Sequence, residues 1–516
     1  MEESERIAEE RKNKVKEKIS NWWKDPYNKI FVGIFILAVI VRFYFFFVTV
    51  DQPVWWDSAD YLTEAKVIGS GLNIDYHFNP RRTFLLPLIW GMLFKLGFTE
   101  VALHYFELML SILAIPAMYL LGKEIFDKKI ALISSFLLTV FWMFLFYSNR
   151  LMTEVPTLTL LLFSTYFFWR GYVKKEHKFL IWFGVFLGLA FLARAGTFVM
   201  FAIFPFFLIM TDKLKFLKNK NLWIGVLCTI LLMSSFFTFI YFKEHINPIA
   251  EFLAFTPQST TGAETRFTNM MGLSGIPKYL QLMPVYFGWI LLVPFILGML
   301  IILFNLVVRF DLIMKEESNE AKKYLFIFLF MTIPFMYQSI FYNHVEDRYL
   351  MNAFPAFFIA LSLGLVGIKD FIKKYSKPIA IIIFAAILLG GAYYQLNLAN
   401  TSIKAKVTSY QEVKDAGILI KENSNSSAVV MTMSLPQISY YAERKAVVIP
   451  ENQTDFENEI KTNKPDFLII SVFERHPTWA NYTYPREHNN TLMPIKAYYQ
   501  TVQGQQYPVL VIYKFI

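Results

Sequence analysis

The chain has 516 residues, of which 55% are hydrophobic, with a mean hydropathy of +0.41 and a formal charge of +10. Soluble domains are about 45–50% apolar, and here the excess is gathered in runs of spanning length, which excludes an ordinary soluble chain. Lys and Arg sit in short stretches beside those runs, as topology control requires, so the positive charge does not imply a nucleic-acid partner.

The first 29 residues mix Glu and Lys and read as a solvated cytoplasmic tail, too long and too acidic for the start of a cleaved signal peptide. Ile30–Val50 is the first apolar run. The loop 51–83 that follows packs Asp51, Asp57, Asp60, Glu64 and Asp75 beside Trp55, Trp56 and Tyr61. Trp and Tyr favour the membrane interface, the level at which a lipid-linked substrate presents its polar end. On a helix starting near Asp57, the residues Asp57, Asp60, Tyr61 and Glu64 share one face. An acid anchored there suits a general base or a metal ligand, and equally suits a helix cap. To act as a base, Asp57 needs burial or acidic neighbours to raise it above its usual value of about 3.9.

Segment 84–97 is apolar but short. Fourteen helical residues cover about 21 Å, below the roughly 30 Å of a hydrocarbon core, and the segment reads as re-entrant or interfacial. Leaving it out gives crossings near 30–50, 101–121, 130–147, 156–170, 179–193, 197–210, 222–242, 284–308, 324–342, 350–368 and 378–396. The connections 122–129, 171–178, 211–221, 309–323 and 369–377 then each carry three or four basic residues, and the alternate ones carry far fewer. That contrast is the positive-inside pattern. It expects about eleven crossings, a cytoplasmic N-terminus and an exported C-terminus.

Three of the expected outer connections hold polar groups suited to chemistry. Ser148–Pro156 carries Glu154 at the start of a helix, where Thr153, Glu154 and Pro156 also serve as start signals. Arg194 interrupts the apolar stretch 179–210 and either snorkels at a hairpin or serves a site. Asn343–Pro355 is dense in polar residues, with His344 and Arg348. The planar fork of Arg348 matches phosphate oxygens, and pairing with Glu346 or Asp347 is the plainer reading. No phosphate-binding loop, dinucleotide fingerprint or metal-binding His spacing occurs in a supporting context, which argues against a nucleotide-driven pump. Cys228 is the sole cysteine and lies in an apolar run, so no disulfide forms within the chain.

From about residue 398 the pattern changes. Ala428–Met433, Ala446–Pro450, Asp466–Ser471 and Tyr507–Phe515 read as buried strands, and Gln411–Glu422 and Asp455–Lys461 as helices. All five Asn-X-Ser/Thr sequons, at Asn400, Asn425, Asn452, Asn481 and Asn489, fall in this tail. The expected division is a tail 1–29, a membrane domain 30–397 with its first outer loop at 51–100, and an extracytoplasmic α/β domain 398–516.

Taken in order, Trp56–Tyr61, Pro80-Arg81-Arg82 with Leu86-Pro87, Gly122–Phe126, Arg150–Pro156, Leu192–Gly196 and Arg348-Tyr349-Leu350 with Pro355 resemble the GT-C glycosyltransferases, nearest the protein O-mannosyltransferase and aminoarabinose transferase branch. The family's first loop usually carries Asp-Glu. Asp57 matches the Asp, Ser58 stands in place of the Glu, and Asp60 offers a second acid at a different spacing. Trp55-Trp56-Asp57 also matches the start of the oligosaccharyltransferase signature Trp-Trp-Asp-Tyr-Gly. Ser58 and Ala59 break that match, and it lies in the wrong part of the chain.

The resemblance implies a polytopic α-helical membrane fold with interfacial helices in the first outer loop. It also implies inverting sugar transfer from a polyprenyl- or dolichyl-phosphate carrier to a hydroxyl of a glycan, protein or lipid acceptor. Asp57, Asp60 and Glu154 become the expected catalytic acids, and Arg348, Arg194, Tyr61, Arg81, Arg82 and His344 the expected donor-binding residues. No cofactor is assigned and a divalent metal is left open. A cell membrane is expected rather than an endomembrane. The rivals are a secondary transporter, which needs mid-membrane ionisable residues and inverted repeats, a lipid-phosphate glycan polymerase or ligase, and a non-catalytic scaffold.

Overall fold

The computed structural model describes residues 20–253, 272–314, 319–341, 345–502 and 504–516, with isolated residues before 20. Where no water can satisfy the backbone, apolar runs close on themselves as helices. Among the described residues, eight helices are long and apolar enough to cross a membrane: Pro26–Thr49, Glu100–Ile125, Ala195–Asp212, Lys220–Glu244, Gly272–Val308, Glu320–Phe341, Asp347–Lys373 and Lys377–Lys404. The other three expected crossings fall on shorter or interrupted pieces. Lys128–Val140 and Trp142–Tyr147 are parted by the extended backbone of Phe141. Glu154–Phe168 runs on into a π-helical turn, Trp169–Val173, and Phe179–Ala193 has 15 residues.

Ion pairs sort the connections into two sets. Lys128 pairs with Asp25, Lys174 with Glu124 at 3.8 Å, Lys322 with Asp212 at 2.9 Å and Arg309 with Glu320 at 3.9 Å. These tie together the connections rich in Lys and Arg. Asp57 pairs with Arg82 and with Arg348, each at 2.7 Å, Glu154 with Arg194 at 2.5 Å, and His77 with Glu244 at 3.2 Å. These tie the loop 51–83 to the turns at 150–154, 194, 244 and 346–348. The grouping follows the alternation of charge along the sequence.

Segment 84–97 forms the helix Leu85–Lys95, only 11 residues long, packed across the helix Asp57–Ser70. Glycines allow the crossing. A Cβ on Gly69 would lie 1.9 Å from the Gly91 carbonyl oxygen, and one on Gly91 would lie 2.6 Å from that of Ala65. Trp90, Leu62, Ala65 and Leu86 fill the seam and are buried.

The tail builds a five-stranded sheet of order β2-β1-β3-β5-β4, with β1 Val429–Thr432, β2 Lys445–Val447, β3 Phe467–Ser471, β4 Leu492–Val502 and β5 Gln505–Phe515. β1 lies parallel to β2 and β3, and β5 runs antiparallel to β3 and β4. Alternate residues of β3 and β5 feed two cores, one with Val413, Ile420 and Ile438, the other with Phe456 and Val447. The sequence pattern misses β4 because it is an edge strand: Pro494 interrupts it beside a register shift, and much of its length is exposed. It also misses the helix Leu435–Ala442, which packs on Asp57–Ser70. There the Val54 N–H donates to the Tyr441 hydroxyl at 2.7 Å, and Lys66 pairs with Glu443 at 2.8 Å.

Candidate active site

The site starts from a turn. Ser58 N–H donates to the Trp55 carbonyl at 3.2 Å, which puts Trp56 and Asp57 at the turn's centre. Trp56 has φ 48° and ψ −120°, the first central position of a type II′ turn, where glycine is preferred. Holding a bulky residue there stores about 1–3 kcal/mol of strain. The helix Asp57–Ser70 begins at once, with Asp57 and Asp60 in its first turn, where acids complement the helix dipole. It ends at Gly71, whose φ of 69° closes the C-terminus in the left-handed conformation.

Four of the expected outer connections meet over this turn. Arg82 Nη2 donates to Asp57 Oδ1 at 2.7 Å, and Arg82 Nη1 contacts Asp60. Arg348 Nη1 donates to Asp57 Oδ2 at 2.7 Å, and its Nε contacts Glu346. Glu154 Oε1 accepts from Arg194 Nη1 at 2.5 Å and lies 3.6 Å from Arg348 Nη1. Arg194 also donates to Thr153 Oγ1 at 3.0 Å. The Arg82 guanidinium stands 5.3 Å from the centre of the buried Tyr61 ring. Four carboxylates and three guanidiniums therefore form one continuous cluster.

A cavity of about 500 Å³ opens beside it, lined by Trp55, Trp56, Asp57, Ser58, Phe146, Tyr147, Arg150, Met152, Glu346, Arg348 and Lys406. Arg150 is held over the Phe146 ring at 3.7 Å and the Trp55 ring at 4.5 Å. The wall is aromatic and the floor charged, a combination that suits a ligand with one apolar and one anionic part. Among the described residues no three His, Cys, Asp or Glu side chains gather as a metal-holding group.

The structure brings together Asp57, Asp60, Glu154, Arg82, Arg194, Arg348 and Tyr61 from the sequence expectation. Arg81 stands one residue before Arg82, with its N–H bonded to Asn79 Oδ1 at 2.9 Å; Arg82 is the residue that bridges the two aspartates. His344 lies outside the described residues. Arg348 makes the foreseen contact with Glu346 and a second one, with Asp57, across the site. Lys406 was missed. Its signal was a basic residue just past the last apolar run, in a segment where the charge pattern expects few.

One expectation is corrected. Asp57 was to be raised toward a useful base by burial or acidic neighbours. Burial does push it up, but Arg82 and Arg348 outweigh that and hold it below the usual carboxylate range. The raised acid of this helix is Glu64, which burial pushes up to about 8.

Residues 81–239 match the family model described as dolichyl-phosphate-mannose-protein mannosyltransferase. No curated protein matches the chain by sequence. In fold the chain is similar to ArnT from Cupriavidus metallidurans, solved bound to undecaprenyl phosphate, with TM-score 0.58 and 12% identity over 93% of this chain and 97% of that one. It is similar also to the oligosaccharyltransferase AglB from Archaeoglobus fulgidus, solved in complex with an inhibitory peptide and a dolichol-phosphate, with TM-score 0.60 and 12% identity over 95% of this chain and 74% of that one. A third similar structure is the arabinofuranosyltransferase AftD from Mycobacteria, with TM-score 0.55 and 11% identity over 94% of this chain and 40% of that one. The helical framework, the first-loop cluster and these likenesses together identify the chain's fold as that of the GT-C superfamily of membrane glycosyltransferases.

Proposed function

We propose that the protein transfers a sugar, with inversion, from a polyprenyl- or dolichyl-phosphate carrier to a hydroxyl of a protein, lipid or glycan acceptor, on the non-cytoplasmic side of a cell membrane. The observation that carries this reading is the sharing of Asp57 between Arg82 and Arg348 at the rim of the aromatic cavity. The solved relatives with undecaprenyl phosphate and dolichol-phosphate support the class of donor. The Lys- and Arg-rich set of connections supports the sidedness, with about eleven crossings placing 51–83 and the tail 398–516 outside.

The donor's phosphate enters between Arg348 and Arg82, with Arg194 behind, and its isoprenoid lies along the apolar wall. Phosphate oxygens compete with Asp57 for the guanidiniums. As they win, Asp57 Oδ2 is freed and the positive field holding its proton affinity down is partly neutralised. The acceptor hydroxyl then donates to Asp57. Its oxygen bonds to the sugar's anomeric carbon as the carbon–phosphate oxygen bond breaks. The hydroxyl proton goes to Asp57, and the bonding pair leaves with the phosphate, held by Arg348. Glu154 keeps Arg194 in place, and Asp60 does the same for Arg82. A base that becomes competent only after the donor binds reconciles the depressed resting affinity of Asp57 with catalysis.

The test uses purified protein in nanodiscs with a polyprenyl-phosphate-linked sugar, following release of the lipid phosphate in the presence of acceptor alcohols. Release that depends on both Asp57 and Arg348 supports the reading. Undiminished release by Asp57→Asn sinks it.

A further inference from the structure

We propose that Trp56 and Tyr410 form a clasp that holds the Trp55–Ser58 turn, and with it Asp57, in line with Arg82 and Arg348, so that Tyr410 is a positioning residue of the site. The choice of ligand in the test rests on the sugar-transfer reading; the clasp itself does not.

Trp56 Nε1 donates to the Tyr410 hydroxyl at 2.8 Å, across 354 residues of sequence. Both partners have backbones that bulky residues avoid: Trp56 at φ 48° and Tyr410 at φ 66°, ψ 19°. Neither conformation follows from local preference, since glycine or Asn is the usual occupant of such positions. Something outside each turn must hold it, and here each residue holds the other. The Trp55 ring adds a second contact, 5.7 Å from that of Tyr410, and Tyr410 is backed by Phe473 at 5.5 Å, just past β3.

The connection is reinforced on the same stretch of loop. Gln52 Nε2 donates to the Lys406 carbonyl at 2.7 Å, and Val54 N–H to the Tyr441 hydroxyl at 2.7 Å. Residues 52, 54 and 56 are thus each tied to the tail, leading directly into Asp57. Releasing Trp56 lets it relax to negative φ, which rotates the peptide plane before Asp57 and moves the carboxylate out from between its two guanidiniums. Strain of this kind gathers at sites whose geometry is set from outside.

The test is a cycle on full-length protein in nanodiscs, comparing wild type, Tyr410→Phe, Trp56→Gly, the double variant and Trp56→Ala. Two readouts are followed: affinity for undecaprenyl phosphate, and amide hydrogen exchange at Ser58, whose N–H closes the turn. Tyr410→Phe removes one hydroxyl, and in wild type should speed exchange about tenfold and, by withdrawing Asp57 from competition with the phosphate, tighten affinity about tenfold. In the Trp56→Gly background, where the turn needs no outside hold, the same change should alter either by less than about twofold. Trp56→Gly should also exchange about tenfold more slowly at Ser58 than Trp56→Ala, because only glycine takes the turn without strain. A residue that merely walls the cavity predicts equal exchange in the two variants. The clasp is overturned if Tyr410→Phe changes neither readout, acts equally in both backgrounds, or if Ser58 exchanges as slowly in Trp56→Ala as in Trp56→Gly. Should wild type not bind undecaprenyl phosphate, the donor assignment fails, and exchange at Ser58 in the two backgrounds still decides the clasp.

Discussion

Asp57 Oδ2 and Arg348 Nη1 lie 2.7 Å apart although 291 residues separate them in sequence. The first loop and the turn before a late helix therefore share one level of the molecule. In the proposed reaction a guanidinium in this position receives the departing phosphate. Replacing Arg348 with Ala should lower transfer by about 10²–10³-fold. Arg348→Lys should recover only part of this, since an ammonium cannot span two oxygens in a fixed plane. Steady-state release of the lipid phosphate measures both.

Asp57→Asn separates chemistry from binding. Loss of the proton acceptor should reduce the maximal rate by about 10²–10⁴-fold. Affinity for polyprenyl phosphate should stay level or rise, because a competing negative charge between Arg82 and Arg348 is gone. Calorimetric titration of the lipid, set beside turnover, checks the pairing of outcomes.

The acidity of Glu64 gives a stability profile with a defined sign. Its folded-state value is raised from 4.5 to about 8 by burial, so the folded chain holds a proton that the unfolded chain releases. The contribution is complete below about pH 4.5 and fades as the pH climbs to about 8, by an amount on the order of a few kcal/mol. Glu64→Gln should flatten this decline and raise the melting temperature at pH 8. Asp57 runs the other way. Held low by its arginines, it contributes above its unfolded value and loses that contribution only in strong acid. Melting curves between pH 4 and 9 for wild type and Glu64→Gln test the first statement.

At the crossing of the two short helices a single methyl group is too much. Gly69→Ala puts a Cβ within 1.9 Å of the Gly91 carbonyl oxygen. Backbone on both sides leaves no soft partner to yield, so the variant should lose about 1–3 kcal/mol or more of stability. Transfer should fall with it as Asp57–Ser70 shifts. Thermal unfolding and activity, read on the same preparation, check both effects.

Much of the site was legible because its residues lie in connections. The charge alternation put 51–83, 148–155, 194–196 and 343–349 on one face, and Asp57, Glu154, Arg194 and Arg348 do meet. The short segment 84–97, kept out of the expected crossings by its length, forms a helix of only 11 residues. What the sequence hid depends on contacts distant along the chain. Nothing local distinguishes Arg82 from Arg81 until the turn at Asn79 aims one of them at Asp57 and Asp60. The sign of the Asp57 shift required knowing that the charges of Arg82, Arg348 and Arg194 act on it together. Trp56 and Tyr410 each look unremarkable until their backbones are seen. Within the bundle, Arg42 and Glu107 are fully buried in apolar helices, and no motif drew attention to them.

Under the proposed function the charge cluster also sets selectivity. At rest, Arg82, Arg194 and Arg348 are already occupied by the protein's own acids, so the site is plugged from within. A small soluble anion offers only its charge in exchange for those internal partners and has little reason to stay. A phosphate on a long isoprenoid arrives pre-concentrated in the bilayer and brings the adhesion of its tail, which tips the exchange. In the proposed reaction the same carboxylates thereby serve twice, and the resting site should ignore free phosphate and answer to membrane-borne donors.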